Sequence, residues 1–176
     1  MDRLLRLIVA GLLAIAMRVP LVRRRIARRM FRMVPHSRAL GFHVLSAGRG
    51  RVIARVPYQP ALVGNPMDGF LHAGVLTSLI DQTSGAAAFL SLTPPDYVAT
   101  LDLRIDHLRA APPGRALIAE AHCYHITGHI LFVRCKAHDG DPGDPVATSV
   151  SCFMRVGAVV DNLPGARRRR ASSKAH

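Results

Sequence analysis

Between Asp68 and Asp96 the chain has one formally charged side chain, Asp81, set in an apolar stretch, residues 72 to 92, that Pro94-Pro95 brings to an end. Val75, Leu76, Leu79, Ile80, Ala86, Ala87 and Phe89 surround that carboxylate at spacings that predict a single long helix, apolar on nearly every side. Such a helix has little solvent face and must be wrapped. The rest of the chain offers strands for the purpose. Residues 42 to 45 and 51 to 58 precede the helix, joined by the turn-rich segment 46 to 50. Residues 97 to 108, 115 to 126, 129 to 138 and 146 to 156 follow it, with turn residues between them. In the first of these four, Leu101, Leu103 and Ile105 alternate with Thr100, Asp102, Arg104 and Asp106, the pattern of a strand with one buried face. In the last, Val146, Val150, Cys152, Met154 and Val156 share a face. Two strands, one long helix and four strands predict an α+β domain, one antiparallel sheet curled around a central helix.

The formal charge of +13 suggests nucleic acid only until it is divided along the chain. Residues 41 to 156 hold nine basic and nine acidic side chains, whereas residues 1 to 40 hold ten Arg against Asp2. The folded segment is neutral and the extensions are basic, which argues against a nucleic-acid partner. At 176 residues there is room for one core. The expected division is a basic amphipathic helical extension over 1–40, one domain over 41–157 and a flexible basic tail over 158–176. In the extension, Val22, Ile26, Met30 and Met33 follow Pro20 at helical spacing with Arg at most positions between them. Two readings stay open: residues 1 to 34 as an anchor lying on an anionic membrane at its inner face, or a helical arm packed on the domain or on a dimer partner.

Cys123, Cys135 and Cys152 are odd in number and fall in strand segments, which fits a reducing cytoplasm better than a disulfide framework. Residues 7 to 17 imitate the apolar part of a signal peptide, but the arginines from Arg18 to Arg29 follow that stretch instead of preceding it. Only eleven residues separate Arg6 from Arg18, and a spanning helix needs about 20.

Asp81 is the candidate for chemistry. An ionised carboxylate buried without a partner costs several kcal/mol, so its pKa is expected to rise toward that of a useful base. The alternative is a structural Asp bonded to a backbone amide or to a facing Arg104. The approach to the helix, Gly69-Phe70-Leu71-His72-Ala73-Gly74, would place unpaired N–H groups and the positive end of the helix dipole at Ala73 and Gly74, a setting for a carbonyl oxygen gaining negative charge. His122, Cys123, His125 and His129 suggest metal ligands at a glance, yet His122 and His125 should point to opposite faces of a strand, so no metal site is expected.

The string Gly64-Asn65-Pro66, Gly69-Phe70-Leu71-His72-Ala73-Gly74-Val75-Leu76, Leu79-Ile80-Asp81 and Gly85 resembles the signature of hotdog-fold thioesterases of the PaaI-like, phenylacetate-degradation branch. In that family a short G-x-x-H-G-G motif opens the central helix and an acid follows nine residues after the His, the spacing that His72 and Asp81 keep. Thr100-Leu101-Asp102-Leu103-Arg104-Ile105, running on to Leu108-Arg109-Ala110-Ala111, looks like the family's next strand. The resemblance spans about residues 62 to 156. It implies a hotdog domain that hydrolyses acyl-CoA thioesters without a cofactor, as a homodimer or a dimer of dimers. Asp81 would be general base or nucleophile, and the Ala73 N–H the donor to the thioester carbonyl. His72 and Asn65 would orient the carbonyl or the water, with Gly69, Gly74 and Thr100 lining the substrate. Ala73 stands where the family has the first Gly of its pair. Two other classes stay open: a hotdog hydratase or dehydratase pairing His72 with Asp81, and a non-catalytic acyl-CoA sensor.

Overall fold

The computed structural model of the chain describes residues 3–158. Three helices come first, α1 (Arg3–Ala16), α2 (Pro20–Met33) and α3 (Pro35–Ala39), then a hairpin of β1 (His43–Gly48) and β2 (Arg51–Val56). A 3-10 turn, Pro60–Leu62, leads into a small ladder of β3 (Val63–Asn65) and β4 (Phe70–Leu71). The central helix α4 (Ala73–Ser91) follows, then β5 (Asp96–His107), β6 (Leu117–Thr127), β7 (Ile130–His138) and β8 (Ala147–Ala158). The six long strands form one sheet in the order β1-β2-β6-β7-β8-β5, antiparallel at every pairing. All six strands pack on α4, as expected for an α+β domain with its sheet around one helix.

α4 accepts this enclosure because of what it carries. Its second half is buried without interruption from Ala86 to Ser91, and small side chains there let strands approach closely. A Cβ on Gly85 would already stand 3.4 Å from the Phe153 ring. Two of its buried hydroxyls are satisfied on the helix itself: Thr83 Oγ1 donates to the Leu79 carbonyl and Ser91 Oγ to that of Ala88, both at 2.6 Å. The β1–β2 turn is tighter than the sequence suggests. β1 runs through Gly48, so only Arg49 and Gly50 turn the chain, with Gly50 at φ +66°.

Three expectations about facing are corrected. On β5 the register slips between Thr100 and Asp102, which leaves Leu101 as the extra residue of a bulge, 54 % exposed, while Thr100 turns toward α4. On β8, Val150, Cys152, Met154 and Val156 do share a face, but it is the outward one; Ala147, Ser149, Ser151 and Phe153 are buried, and Val146, just before the strand, is buried too. On β6 a second bulge between Cys123 and His125 pairs His122 with Arg134 and His125 with Phe132, so both imidazoles lie on the outer face and not on opposite ones.

In the extension, α2 is docked. Ala27 and Phe31 are buried, the latter 2 % exposed, and α2 lies on β1 and α4. The 158–176 tail falls almost wholly outside the described residues. Because Phe31 belongs to the core, Phe31→Ala is expected to lower stability by about 3 kcal/mol, the low end for an aromatic truncation because an arm helix can relax into part of the cavity. Urea unfolding measures this. A loss under about 1 kcal/mol would mean that α2 does not hold the domain.

Candidate active site

α4 starts where extended backbone ends. His72 (φ −59°, ψ 135°) is its N-cap, and the imidazole Nδ1 accepts the Gly74 N–H at 2.9 Å. The Val75 N–H donates to the His72 carbonyl, also at 2.9 Å. Of the first three N–H groups of α4, the one on Ala73 alone has no acceptor among the described residues. The entry is rigid. The His72 N–H bonds the Leu62 carbonyl at 2.9 Å, and a Cβ on Gly64 would stand 3.0 Å from His72 Cα, so any other residue there would have to push His72 aside by a few tenths of an ångström.

The loop ahead of the helix uses its polar groups on itself. Asn65 Nδ2 donates to Asp68 Oδ2 at 2.6 Å, and Asn65 Oδ1 accepts the Met67 N–H at 3.0 Å. Gly69, at φ +69°, closes the turn back to the Asn65 carbonyl, and its own carbonyl accepts the Tyr58 hydroxyl at 2.9 Å. Two hollows flank the Ala73 end of α4. One, of about 180 Å³, is largely apolar and lies between Phe70, Leu71, Leu76, Ala111 and Val146. The other, of about 460 Å³, runs along Val63, Gly64, His72, Gly74 and Ser78 with His36 of α3 as a wall. His36 Nε2 and Ser78 Oγ are 3.1 Å apart.

Asp81 lies further along the same helix. It is half-buried and partnered, which corrects the expectation of a buried, unpaired carboxylate: Thr100 Oγ1 donates to Asp81 Oδ1 at 2.9 Å. Arg104 does not reach it and pairs with Asp106 at 3.0 Å instead. The structure thus brings Asp81 to Thr100 and His72 to Gly74 beside Ala73, while Asn65 turns into its own loop. No hydrogen bond among the described residues joins the Asp81 pair to the Ala73 group. Eight residues of helix separate Ala73 from Asp81, about 12 Å along the axis.

Two of the three thiols are unsuited as nucleophiles. Burial pushes the Cys135 thiol up to about 12 and also raises that of Cys123, so neither supplies thiolate near neutral pH. His122 is lowered by partial burial and by the neighbouring charge of Arg51, which favours neutral imidazole. Among the described residues no three His, Cys, Asp or Glu side chains come together as a metal site. Sequence reasoning missed Tyr58 as the clamp on Gly69 and His36 as a wall of the wider hollow. Both contacts join distant segments, and no local pattern marks either.

A six-stranded antiparallel sheet wrapped on one long helix defines a hotdog fold, and here the helix carries an N–H without an acceptor among the described residues at its start and a carboxylate two turns on. The profile described as Thioesterase superfamily matches residues 68–146, which include α4 and Asp81. A crystal structure of a Pseudomonas aeruginosa protein, 36 % identical, superimposes with a TM-score of 0.70 over 76 % of this chain and 99 % of that one. The E. coli PaaI protein of the phenylacetic acid degradation operon shares the fold at 21 % identity, with a TM-score of 0.67 over 75 % of this chain and 91 % of that one. An acyl-coenzyme A thioesterase of Rattus norvegicus is 31 % identical over 99 residues, 56 % of this chain and 41 % of the relative. The chain spans about half the length of the curated relatives it matches first.

Proposed function

We propose that this chain hydrolyses acyl-CoA thioesters to a free acid and CoA. The observation that carries the reading is the asymmetry at the start of α4, where the Gly74 N–H is taken by His72 and the Ala73 N–H is left bare at the positive end of the helix dipole. A thioester carbonyl oxygen accepting from Ala73 gains stabilisation as it becomes an oxyanion. Asp81, held by Thr100, takes the proton of an attacking water, or attacks the carbonyl carbon itself and is freed by water afterwards. In the first route the C–S bond then breaks and the leaving thiolate takes the proton held by Asp81; in the second the C–S bond breaks as the acyl-Asp81 anhydride forms, and the water that hydrolyses the anhydride supplies the thiolate's proton. His72 acts by capping the helix and reserving the Gly74 N–H. Asn65 and Gly69 act by shaping the loop over the apolar hollow, which is suited to the acyl group.

The working unit in this reading is a homodimer. β5 is twelve residues long and among the described residues pairs with β8 on one side only, and it carries Leu101 and Tyr97 exposed at 54 % and 43 %. A long bare edge of this kind invites pairing with a second copy. Because Thr100 lies on β5, pairing there would carry Asp81 into the interface, toward the partner's Ala73 end.

Release of free thiol from acyl-CoAs of graded chain length, with enoyl-CoA hydration measured alongside, tests the proposal. Thiol release with saturated acyl-CoAs is the expected result. Hydration without thiol release would move the chain to the hydratases, and acyl-CoA binding with neither reaction would make it a sensor.

A further inference from the structure

The two long helices of the N-terminal extension present unlike surfaces. α2 commits its apolar side to the domain through Ala27 and Phe31, whereas none of the described side chains of α1 is buried. Met17, just past the end of α1, is 1 % exposed and pins that end to the core. On α1 itself Ile8, Leu12 and Ile15 stand 50 %, 63 % and 63 % exposed, and Val19 at the N-cap of α2 and Leu21 in its first turn are exposed at 47 % and 58 %. At 3.6 residues per turn, positions 8, 12 and 15 fall on one face of α1. No other described element packs substantially on α1. A helix of 14 residues is marginal in water by itself, so this face calls for a cover.

The charge beside it identifies the cover. Arg18, Arg24, Arg25, Arg28, Arg29 and Arg32 are exposed, and residues 3 to 40 contain no Asp or Glu to balance them. A second copy would bring the same positive charge against this one. An anionic bilayer offers negative head groups and hydrocarbon together. α1 is too short to cross: no described helix is long and apolar enough to span a membrane. We propose that α1 lies in the surface of an anionic membrane, with Ile8, Leu12, Ile15, Val19 and Leu21 in the acyl region and the exposed arginines of α2 at the head groups. This partner surface is independent of the thioester chemistry.

The two readings of the extension therefore divide between its helices, α2 packed on the domain and α1 on lipid. Deleting residues 1 to 34 would strip Phe31 from the core, so the test uses the full chain. Wild type is expected to co-sediment with vesicles of phosphatidylcholine plus phosphatidylglycerol at low salt, and weakly with phosphatidylcholine alone, with added salt loosening the complex. Leu12→Ser combined with Ile15→Ser should lower the partition coefficient at least tenfold without changing oligomeric state or thiol release from a short, soluble acyl-CoA. Arg24→Glu combined with Arg25→Glu, a second pair of exposed changes, should weaken binding to the anionic vesicles alone. Wild type that ignores phosphatidylglycerol vesicles at low salt, or a Ser pair that binds as wild type does, overturns the proposal. So does a Ser pair that instead alters the oligomeric state without vesicles, since the stripe would then be a contact between copies.

Discussion

Replacing Asp81 with Asn is expected to slow thiol release from acyl-CoA by about 100- to 10,000-fold, the range for loss of a positioned acid-base group, while the protein stays folded. The fold should survive because Asn keeps the shape, its Oδ1 can still accept from Thr100, and a half-buried side chain leaves no large cavity or stranded charge. The rate should not survive, because an amide oxygen neither takes a proton from water near neutral pH nor attacks a thioester. The loss should fall on kcat with KM little changed, since in this mechanism the carboxylate acts on the reacting atoms and contributes little to holding the acyl chain. Near-wild-type release by a folded Asp81→Asn protein would remove Asp81 from the mechanism and leave its bond to Thr100 as a structural one.

The architecture was legible in the sequence because one feature forces it. A long helix with a single charged side chain in its middle can only be a core helix, and the strands counted around it leave little choice of layer. Which face each strand buries was less legible. Alternation assumes an unbroken pleat, and a bulged residue at Leu101 and another beside Cys123 each reverse the pattern beyond them. On β8, Val150, Met154 and Val156 face outward while Ser149 and Ser151 are buried beside Ala147 and Phe153, so hydropathy alone points the wrong way there. At the candidate site, the spacing from His72 to Asp81 was visible in the chain. The bond of His72 to Gly74, which distinguishes one N–H from the next, was not, because a two-residue capping contact depends on side-chain rotamer rather than on spacing. Thr100 could be placed near the acid by resemblance, but only the bulge turns it inward.

The geometry of α4 sets the last expected result. Ala73 and Asp81 are about 12 Å apart along one rigid helix, and a single thioester carbon cannot lie within reach of both. If the two act on the same carbonyl, they come from different protomers meeting across a two-fold axis, and each dimer has two equivalent sites. Ala73→Pro removes the N–H and is well placed to be tolerated. Ala73 is the first residue of the helix, its N–H bonds nothing among the described residues, and His72 at φ −59°, ψ 135° already has the extended backbone required before proline. Ala73→Pro and Asp81→Asn should therefore each fold and each be nearly inactive. When the two are unfolded together and refolded, half of the random dimers should be mixed ones. In a mixed dimer one site collects both lesions and the other neither, so about one quarter of all sites would be intact and activity should return to about a quarter of wild type. If instead each site were built within one chain, every site in the mixture would carry a lesion. A mixture that stays inactive, with mixed dimers verified by two different affinity tags, would sink the shared-site arrangement.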